Sequence, residues 1–169
     1  RAANGSWGAP VNVSGSDAAR VTIDQSTSLL VTPDGRYHLT WISAVNDYIR
    51  YQYSDSAGQS WAANHPGSGV QATHNPSLGY AAGRLRIYGH GTPVPAPDGR
   101  GEDLYFFEGA GGAAGWGAWT KFVSGTNYDS SVNVRWSQFF CSFPNTIDLA
   151  YWNDNYPNML YAGSEVKAP

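Results

Sequence analysis

Charged residues are scarce in this sequence, and lysine is the scarcest of them. Only 14% of the 169 residues are charged, against about 25% in an ordinary soluble domain, and lysine occurs only at Lys121 and Lys167. A nucleic-acid-binding domain needs clustered cations to displace phosphate counterions, so this balance argues against that class. No run approaches the roughly 18 apolar residues of a membrane-spanning helix. We therefore expect neither a nucleic-acid nor a membrane partner.

Cysteine is almost absent too. The single Cys141 excludes an internal disulfide and a cysteine-rich metal site. It lies in the apolar run 136–141, which favours a small buried side chain in a strand, with a catalytic thiol as the alternative. No metal-binding motif or phosphate-binding loop is present. The sequence therefore predicts no metal and no cofactor, and leaves a structural calcium ion open.

Helical periodicity is nearly missing, whereas strand signals are abundant. Short alternating runs rich in Val, Ile, Tyr, Phe, Trp and Thr are separated by Gly, Pro, Asn and Asp, and aromatic residues make up 14% of the chain. This pattern predicts an all-β protein, with the 20 Gly and 10 Pro residues marking turns. The length fits one domain spanning 1–169.

The strand runs repeat along the chain. Three sets of three runs can be aligned, at intervals of roughly 50 to 60 residues, and the longer interval contains the proline-rich insertion 92–102. The runs are 28–31, 37–41 and 49–53; 77–80, 85–88 and 104–107; and 137–140, 147–151 and 159–161. Antiparallel sets with this period are typical of the blades of a β-propeller.

Each blade also needs a fourth, outer strand. The runs 60–63 and 116–122 supply it for the first two sets, and the run 6–13 at the beginning of the chain is left for the third. We therefore predict blades at 26–63, 75–123 and 133–166, with the first strand completing the last blade. Because propellers usually have about four to eight blades, three cannot close a ring. A homodimer of six blades, or companion blades elsewhere, would close it.

One turn resembles a known family. Residues Ser54 to Trp61, with the sequence Ser-Asp-Ser-Ala-Gly-Gln-Ser-Trp, are similar to the Asp-box of sialidase-like (BNR) propellers, with Ser56 in place of the usual Asp. The segment from Thr32 to Leu39 resembles the first hairpin of such blades. The resemblance implies a secreted, carbohydrate-active protein, and the first residue, Arg1, agrees with a removed leader or a piece of a longer chain. The Arg-Ile-Pro segment of sialidases is absent.

Candidate site residues lie before the first strand or after the second strand of the predicted blades. Arginine offers a planar fork to a carboxylate, histidine can exchange a proton near neutral pH, and aromatic rings can stack on sugars. The predicted ligand-binding residues are Trp41, Tyr48, His74, Asn75, His90, Arg135, Trp136 and Trp152. The corresponding predicted catalytic candidates are His74, His90 and Arg135.

Two functions follow from these residues. The first is a secreted glycan-recognition propeller of lectin type. The alternative is part of the active site of a glycan-cleaving enzyme, a sialidase-like hydrolase or a polysaccharide lyase. Cleavage by a hydrolase needs two acids about 5 to 9.5 Å apart. The sequence offers Glu102, Asp103, Glu108, Asp148 and Glu165 without pairing them. For this reason we rank recognition first and leave the question of enzyme activity open.

Overall fold

The computed structural model describes residues 9–15, 27–46, 48–63, 65–66, 70–93, 103–123, 134–143, 146–153 and 156–165. Side chains are described for the first sheet and most of the second, and the third sheet is described by its backbone. Strands account for the regular structure of these residues. The described residues contain no helix long and apolar enough to cross a membrane.

Three antiparallel sheets follow one another along the chain. In the described residues the first has the order β1-β2-β3-β4, the second β5-β6-β7-β8 and the third β11-β10-β9. The strands are β1 (Ser28–Val31), β2 (Tyr37–Ile42), β3 (Ile49–Ser54), β4 (Ala62–Ala63), β5 (Val70–Ala81), β6 (Arg84–Pro93), β7 (Asp103–Gly109), β8 (Thr120–Val123), β9 (Val134–Phe143), β10 (Thr146–Asn153) and β11 (Tyr156–Glu165).

This architecture confirms the predicted all-β fold of stacked propeller blades. Every predicted inner run lies in a strand, including the run that holds Cys141, which lies in β9. The predicted closing strand 6–13 is a different case: residues 6–8 lie outside the described residues, and Ala9 to Val13 have no strand assignment. Closure of the third blade by the beginning of the chain therefore stays a prediction.

The hydrophobic core of the described side chains lies between the first two sheets. Because side chains alternate across a strand, one face of β2 and β3 presents Ile42, Ile49 and Tyr51 to the second sheet. Leu78, Leu85, Ile87 and Phe107 of the second sheet complete the cluster. Strand β5 contacts β1, β2 and β3 on this side and β9 and β10 on the other. The innermost strand of the second blade is thus central to the stack.

Two tight turns set the geometry of the first sheet. The β1–β2 turn is closed by the Gly35 N–H donating to the Thr32 carbonyl at 2.9 Å, and Gly35 has a φ of 82° that favours glycine. The β3–β4 turn is the segment that resembles an Asp-box. There the Ser54 hydroxyl accepts the Gly58 N–H at 2.9 Å, and the Ser56 hydroxyl accepts the Ser60 N–H at 2.9 Å. Serine hydroxyls thus supply hydrogen bonds inside this turn.

Candidate functional site

The two ends of each sheet differ in the residues that lie there. We call the upper end the one where β2, β6 and β10 turn back into β3, β7 and β11. At the lower end, β1, β5 and β9 turn into β2, β6 and β10. Because the sheets are stacked repeats of one unit, their upper ends share one side of the stack. All eight predicted ligand-binding residues lie toward this upper end.

His74 and Asn75 lie inside a strand, which corrects the prediction of a loop. Strand β5 begins at Val70 and pairs with β6, so the chain is already extended when it reaches His74. The register makes His74 the direct partner of His90, which lies within β6 rather than after it. The register shifts on both sides of His74, between Ala72 and His74 and between His74 and Ser77. Bulges of this kind are over-represented beside active sites.

The third sheet repeats this feature. Arg135 and Trp136 are the second and third residues of β9, and Trp152 is the last but one of β10, so these too lie inside strands. The β9–β10 register shifts between Tyr151 and Asn153, and Asn153 pairs with Val134. The β10–β11 register also shifts, between Trp152 and Asn153. Irregular pairing thus coincides with the predicted site residues in two neighbouring sheets.

Trp41 and Tyr48 are the two predicted residues of the first sheet. Trp41 is only 2% exposed, so it is buried in the sheet instead of standing on a rim, and the ring of His65 contacts it edge-on at 6.3 Å. Its indole N–H has no hydrogen-bond partner in the described structure. Tyr48 is half-buried after the β2–β3 turn, with the Arg50 guanidinium 5.9 Å from its ring centre. Ligand contact by either residue stays a prediction.

The acids are divided between the two ends. Asp103 is the first residue of β7 and pairs with Gly91, which places it at the upper end beside the partner strand of His74. Glu108, Asp148 and Glu165 lie toward the lower ends of β7, β10 and β11. Glu102 lies outside the described residues. Among the acids of this set that the structure describes, Asp103 is therefore the one that shares an end with the predicted site.

A series of buried polar side chains joined by hydrogen bonds, in the lower half of the first sheet, was not predicted from the sequence. His38 Nε2 lies 3.0 Å from the Thr32 hydroxyl, and His38 Nδ1 lies 2.7 Å from the Tyr51 hydroxyl. The Gly112 N–H of the second sheet donates to the same Tyr51 oxygen at 2.9 Å. Burial, together with the nearby Arg36 cation, lowers the pKa of His38 to about 4. Burial likewise raises the pKa of Tyr51 to about 12.

This chain of hydrogen bonds joins two blades and is structural. Because the Thr32 hydroxyl is also within bonding distance of Asp34, it can donate to that carboxylate and accept from a neutral His38. The only sequence signal was the alternation of His38, Thr40 and Ile42 on the buried face of β2. The described residues hold no group of three or more His, Cys, Asp or Glu side chains that could hold a metal ion.

The fold is similar to that of several solved glycoside hydrolases with β-propeller architecture. The α-L-arabinanase of Penicillium chrysogenum, solved with arabinobiose, matches with a TM-score of 0.63 and 12% identity over 89% of this chain and 48% of that chain. A mutant α-L-arabinofuranosidase of Fusarium graminearum, solved with an iminosugar inhibitor, matches with a TM-score of 0.60 and 12% identity over 85% and 45%.

An exo-β-1,3-galactanase of Phanerochaete chrysosporium, solved with galactose, matches with a TM-score of 0.52 and 11% identity over 84% of this chain and 36% of that chain. The chain thus spans about half or less of the length of these structures. Neither a protein-family model nor a curated protein matches the sequence. At these identities the similarity establishes the β-propeller fold.

Proposed function

We propose that the chain contributes three blades to a glycan-cleaving β-propeller, a glycoside hydrolase whose substrate contains arabinose or galactose. The observation that carries this proposal is the structural similarity to an arabinanase, an arabinofuranosidase and a galactanase. It reverses the ranking from sequence, in which recognition without cleavage came first. The proposal includes the sialidase-like Asp-box character of residues 54–61 and secretion of the protein.

The upper end is the surface where cleavage would take place. His74 and His90 face each other in the register of β5 and β6, and Asp103 begins the strand that pairs with β6 on its other side. A histidine can hold or release a proton near neutral pH, and an aspartate can act as nucleophile, base or acid. These groups therefore belong to three adjacent strands at one end of one sheet.

A hydrolase of this type needs a second carboxylate. Asp47 and Asp154 lie outside the described residues, and in the sequence they fall between β2 and β3 and between β10 and β11. The corresponding connection of the second sheet leads into Asp103. Each of the three repeats thus has an aspartate in or directly beside this connection in the sequence, and we propose that the catalytic pair is drawn from Asp47, Asp103 and Asp154. Arg135, Trp136 and Trp152 would bind and orient the sugar.

Hydrolysis of neutral polysaccharides tests this function. The purified chain is incubated with arabinan, arabino-oligosaccharides and β-1,3-galactan, and new reducing ends are measured. We expect Asp103→Asn to lower turnover by about 100- to 10,000-fold, the usual contribution of a general acid or base. Asp148→Asn, at the lower end of β10, is the matched control and should retain turnover. Unchanged turnover in single Asn variants of Asp47, Asp103 and Asp154 would contradict the assignment.

Recognition without cleavage is the second candidate function. The repetition of aromatic and histidine residues at corresponding positions of the three repeats in the sequence, at Trp41, His90 and Trp152, favours it. Calorimetry distinguishes it from hydrolysis. Binding of arabino- or galacto-oligosaccharides at millimolar concentration, without any new reducing ends, would favour this candidate. Loss of that binding in Arg135→Ala would assign it to the upper end. Absence of both binding and cleavage would overturn both candidates.

A further inference from the structure

A cleft of about 660 Å³ lies on the second sheet at its lower end, away from the proposed catalytic end. It lies within the size range of about 300 to 1,000 Å³ that is usual for small-ligand sites. Its walls come from the beginning of β6, the end of β7, the beginning of β8 and the connection 109–118. Its lining side chains include Arg84, Arg86, Phe106, Glu108 and Thr120.

One of the two arginines in the cleft is fixed by the protein itself. The Arg86 Nε donates to Glu108 Oε2 at 2.6 Å, and its Nη1 lies 3.3 Å from the Tyr88 hydroxyl. The same guanidinium stacks over the Phe106 ring at 4.4 Å. Arg86 is thus held against an aromatic ring, and its charge is balanced by the Glu108 carboxylate.

The second arginine differs. Arg84 lines the same cleft, and its Nε is buried without a hydrogen-bond partner in the described structure. A buried donor without a partner costs about 1 to 3 kcal/mol, so the protein satisfies this guanidinium only incompletely. Among the residues that the structure describes, the lining of the cleft carries two guanidinium groups and one carboxylate. The remaining positive charge belongs to Arg84.

The cleft also has the surfaces that a sugar ring needs. Phe106 provides an apolar wall, and the Thr120 hydroxyl lies on the same sheet face. The exposed residues of the connection 109–118 are all Gly or Ala, so the rim that they form is low. A Cβ at Gly115 would meet no other atom within 4 Å, which shows how open this rim is. Such a cleft admits a pyranose ring that carries several polar groups.

We propose that this cleft is a second carbohydrate-binding site, selective for a sugar that carries a carboxylate, such as a uronic acid residue of a polysaccharide. The carboxylate accepts hydrogen bonds from the guanidinium of Arg84, and the ring lies beside Phe106. Arginine suits this role because its planar fork matches the two oxygens of a carboxylate. The site is separate from the upper end and holds the protein on an acidic polymer.

Calorimetry with the purified chain tests the proposal. The probes are trigalacturonate and, as the neutral counterpart, a galactose trisaccharide. We expect trigalacturonate to bind at least tenfold more tightly than the neutral trisaccharide. Arg84→Gln should weaken its binding by about tenfold, which is one charge-assisted hydrogen bond. Arg50→Gln removes the same charge from the first sheet and should leave the affinity within about twofold, an expectation for a charge screened by solvent.

Acetate at the same ionic strength separates a simple anion site from a sugar site. Competition by acetate as strong as competition by galacturonate would overturn carbohydrate recognition. Equal affinity of wild type and Arg84→Gln for trigalacturonate, with both folded by circular dichroism, would overturn the site. Asp103→Asn separates the two proposals, because it should abolish hydrolysis and leave uronate binding intact. Arg84→Gln should weaken uronate binding and leave the hydrolysis of soluble neutral oligosaccharides unchanged.

Discussion

His38 is a buried histidine that the fold keeps uncharged. It is 2% exposed, and both ring nitrogens are within hydrogen-bonding distance of hydroxyl groups, from Thr32 and Tyr51. Taking a charged imidazole out of water is unfavourable, and the nearby Arg36 adds repulsion, which is why the pKa of His38 falls to about 4. The neutral ring in turn orders Tyr51, the acceptor for the Gly112 N–H from the second sheet.

Acid should therefore loosen the contact between the first two blades. In the unfolded chain His38 protonates near its ordinary value of 6.5, and in the folded chain near 4. The unfolded state binds more protons between these values, so stability is full above pH 6.5 and falls as the pH approaches 4. The loss reaches about 3 kcal/mol by linkage. Urea unfolding at pH 7.5 and 4.5 measures it, and the fall should be smaller in His38→Gln; equal falls would contradict this account.

Tyr51 provides the second prediction at this scale. Tyr51→Phe keeps the ring in the core but removes the oxygen that receives the Gly112 N–H and bonds His38 Nδ1. Both hydrogen bonds to this oxygen are then lost, so we expect the free energy of unfolding to fall by about 2 kcal/mol. Urea denaturation at pH 7.5 measures the change. Tyr53→Phe, whose ring stacks on Tyr51 at 6.3 Å, is the matched control. An equal effect of both variants would contradict a specific role of the Tyr51 hydroxyl.

At the scale of an element, the β3–β4 turn shows how hydroxyls organise eight residues. Ser56 Oγ accepts the Ser60 N–H and lies 2.8 Å from the Ser60 hydroxyl. The Trp61 indole N–H donates to the Gly58 carbonyl at 3.0 Å and closes the turn from the other side. Ala57 and Gly58 both have positive φ angles, of 52° and 85°. The turn thus depends on side-chain acceptors to hold a backbone that most residues avoid.

Replacing Ser56 tests this dependence. Ser56→Ala removes the acceptor for the Ser60 N–H, and we expect the free energy of unfolding to fall by about 1 kcal/mol. Ser56→Asp should restore or exceed the wild-type value, because a carboxylate can accept from both the Ser60 N–H and the Ser60 hydroxyl. Thermal unfolding of the three proteins measures the order. If Ser56→Asp were less stable than Ser56→Ala, the carboxylate would not fit the turn.

The limits of sequence interpretation are visible in particular strands. Strand β1 could be predicted because the apolar run from Leu29 to Val31 is followed directly by turn residues, among them Pro33 and Gly35. The beginning of β5 could not, because Asn75 and Pro76 read as a loop; in the structure a register shift lets the strand pass Pro76, which has no N–H to donate. The Tyr51 contact with Gly112 and the Arg84 cleft depend on connections between strands, which no local pattern reveals.

At the scale of the whole molecule, the two faces of the first sheet differ. One face packs on the second sheet through the core. On β1, the side chains that alternate with the buried face are Leu29, 60% exposed, and Val31, 49% exposed, in the described structure. An apolar strand face of this kind in a propeller normally packs against another blade. The three sheets therefore form a stack that can be extended on this side.

The mass of the protein in solution should show whether a second copy extends the stack. We expect the purified chain to form a dimer, with a mass near twice 18.2 kDa by light scattering after size exclusion, because a second copy supplies blades that cover Leu29 and Val31. Replacing both residues by Thr places a residue of high strand propensity at each position but adds a hydroxyl to the contact. This double variant should elute as a monomer with the wild-type circular dichroism spectrum. A wild-type monomer at 100 μM would rule out closure between two copies, and a dimer unchanged by the double substitution would place the contact on another surface.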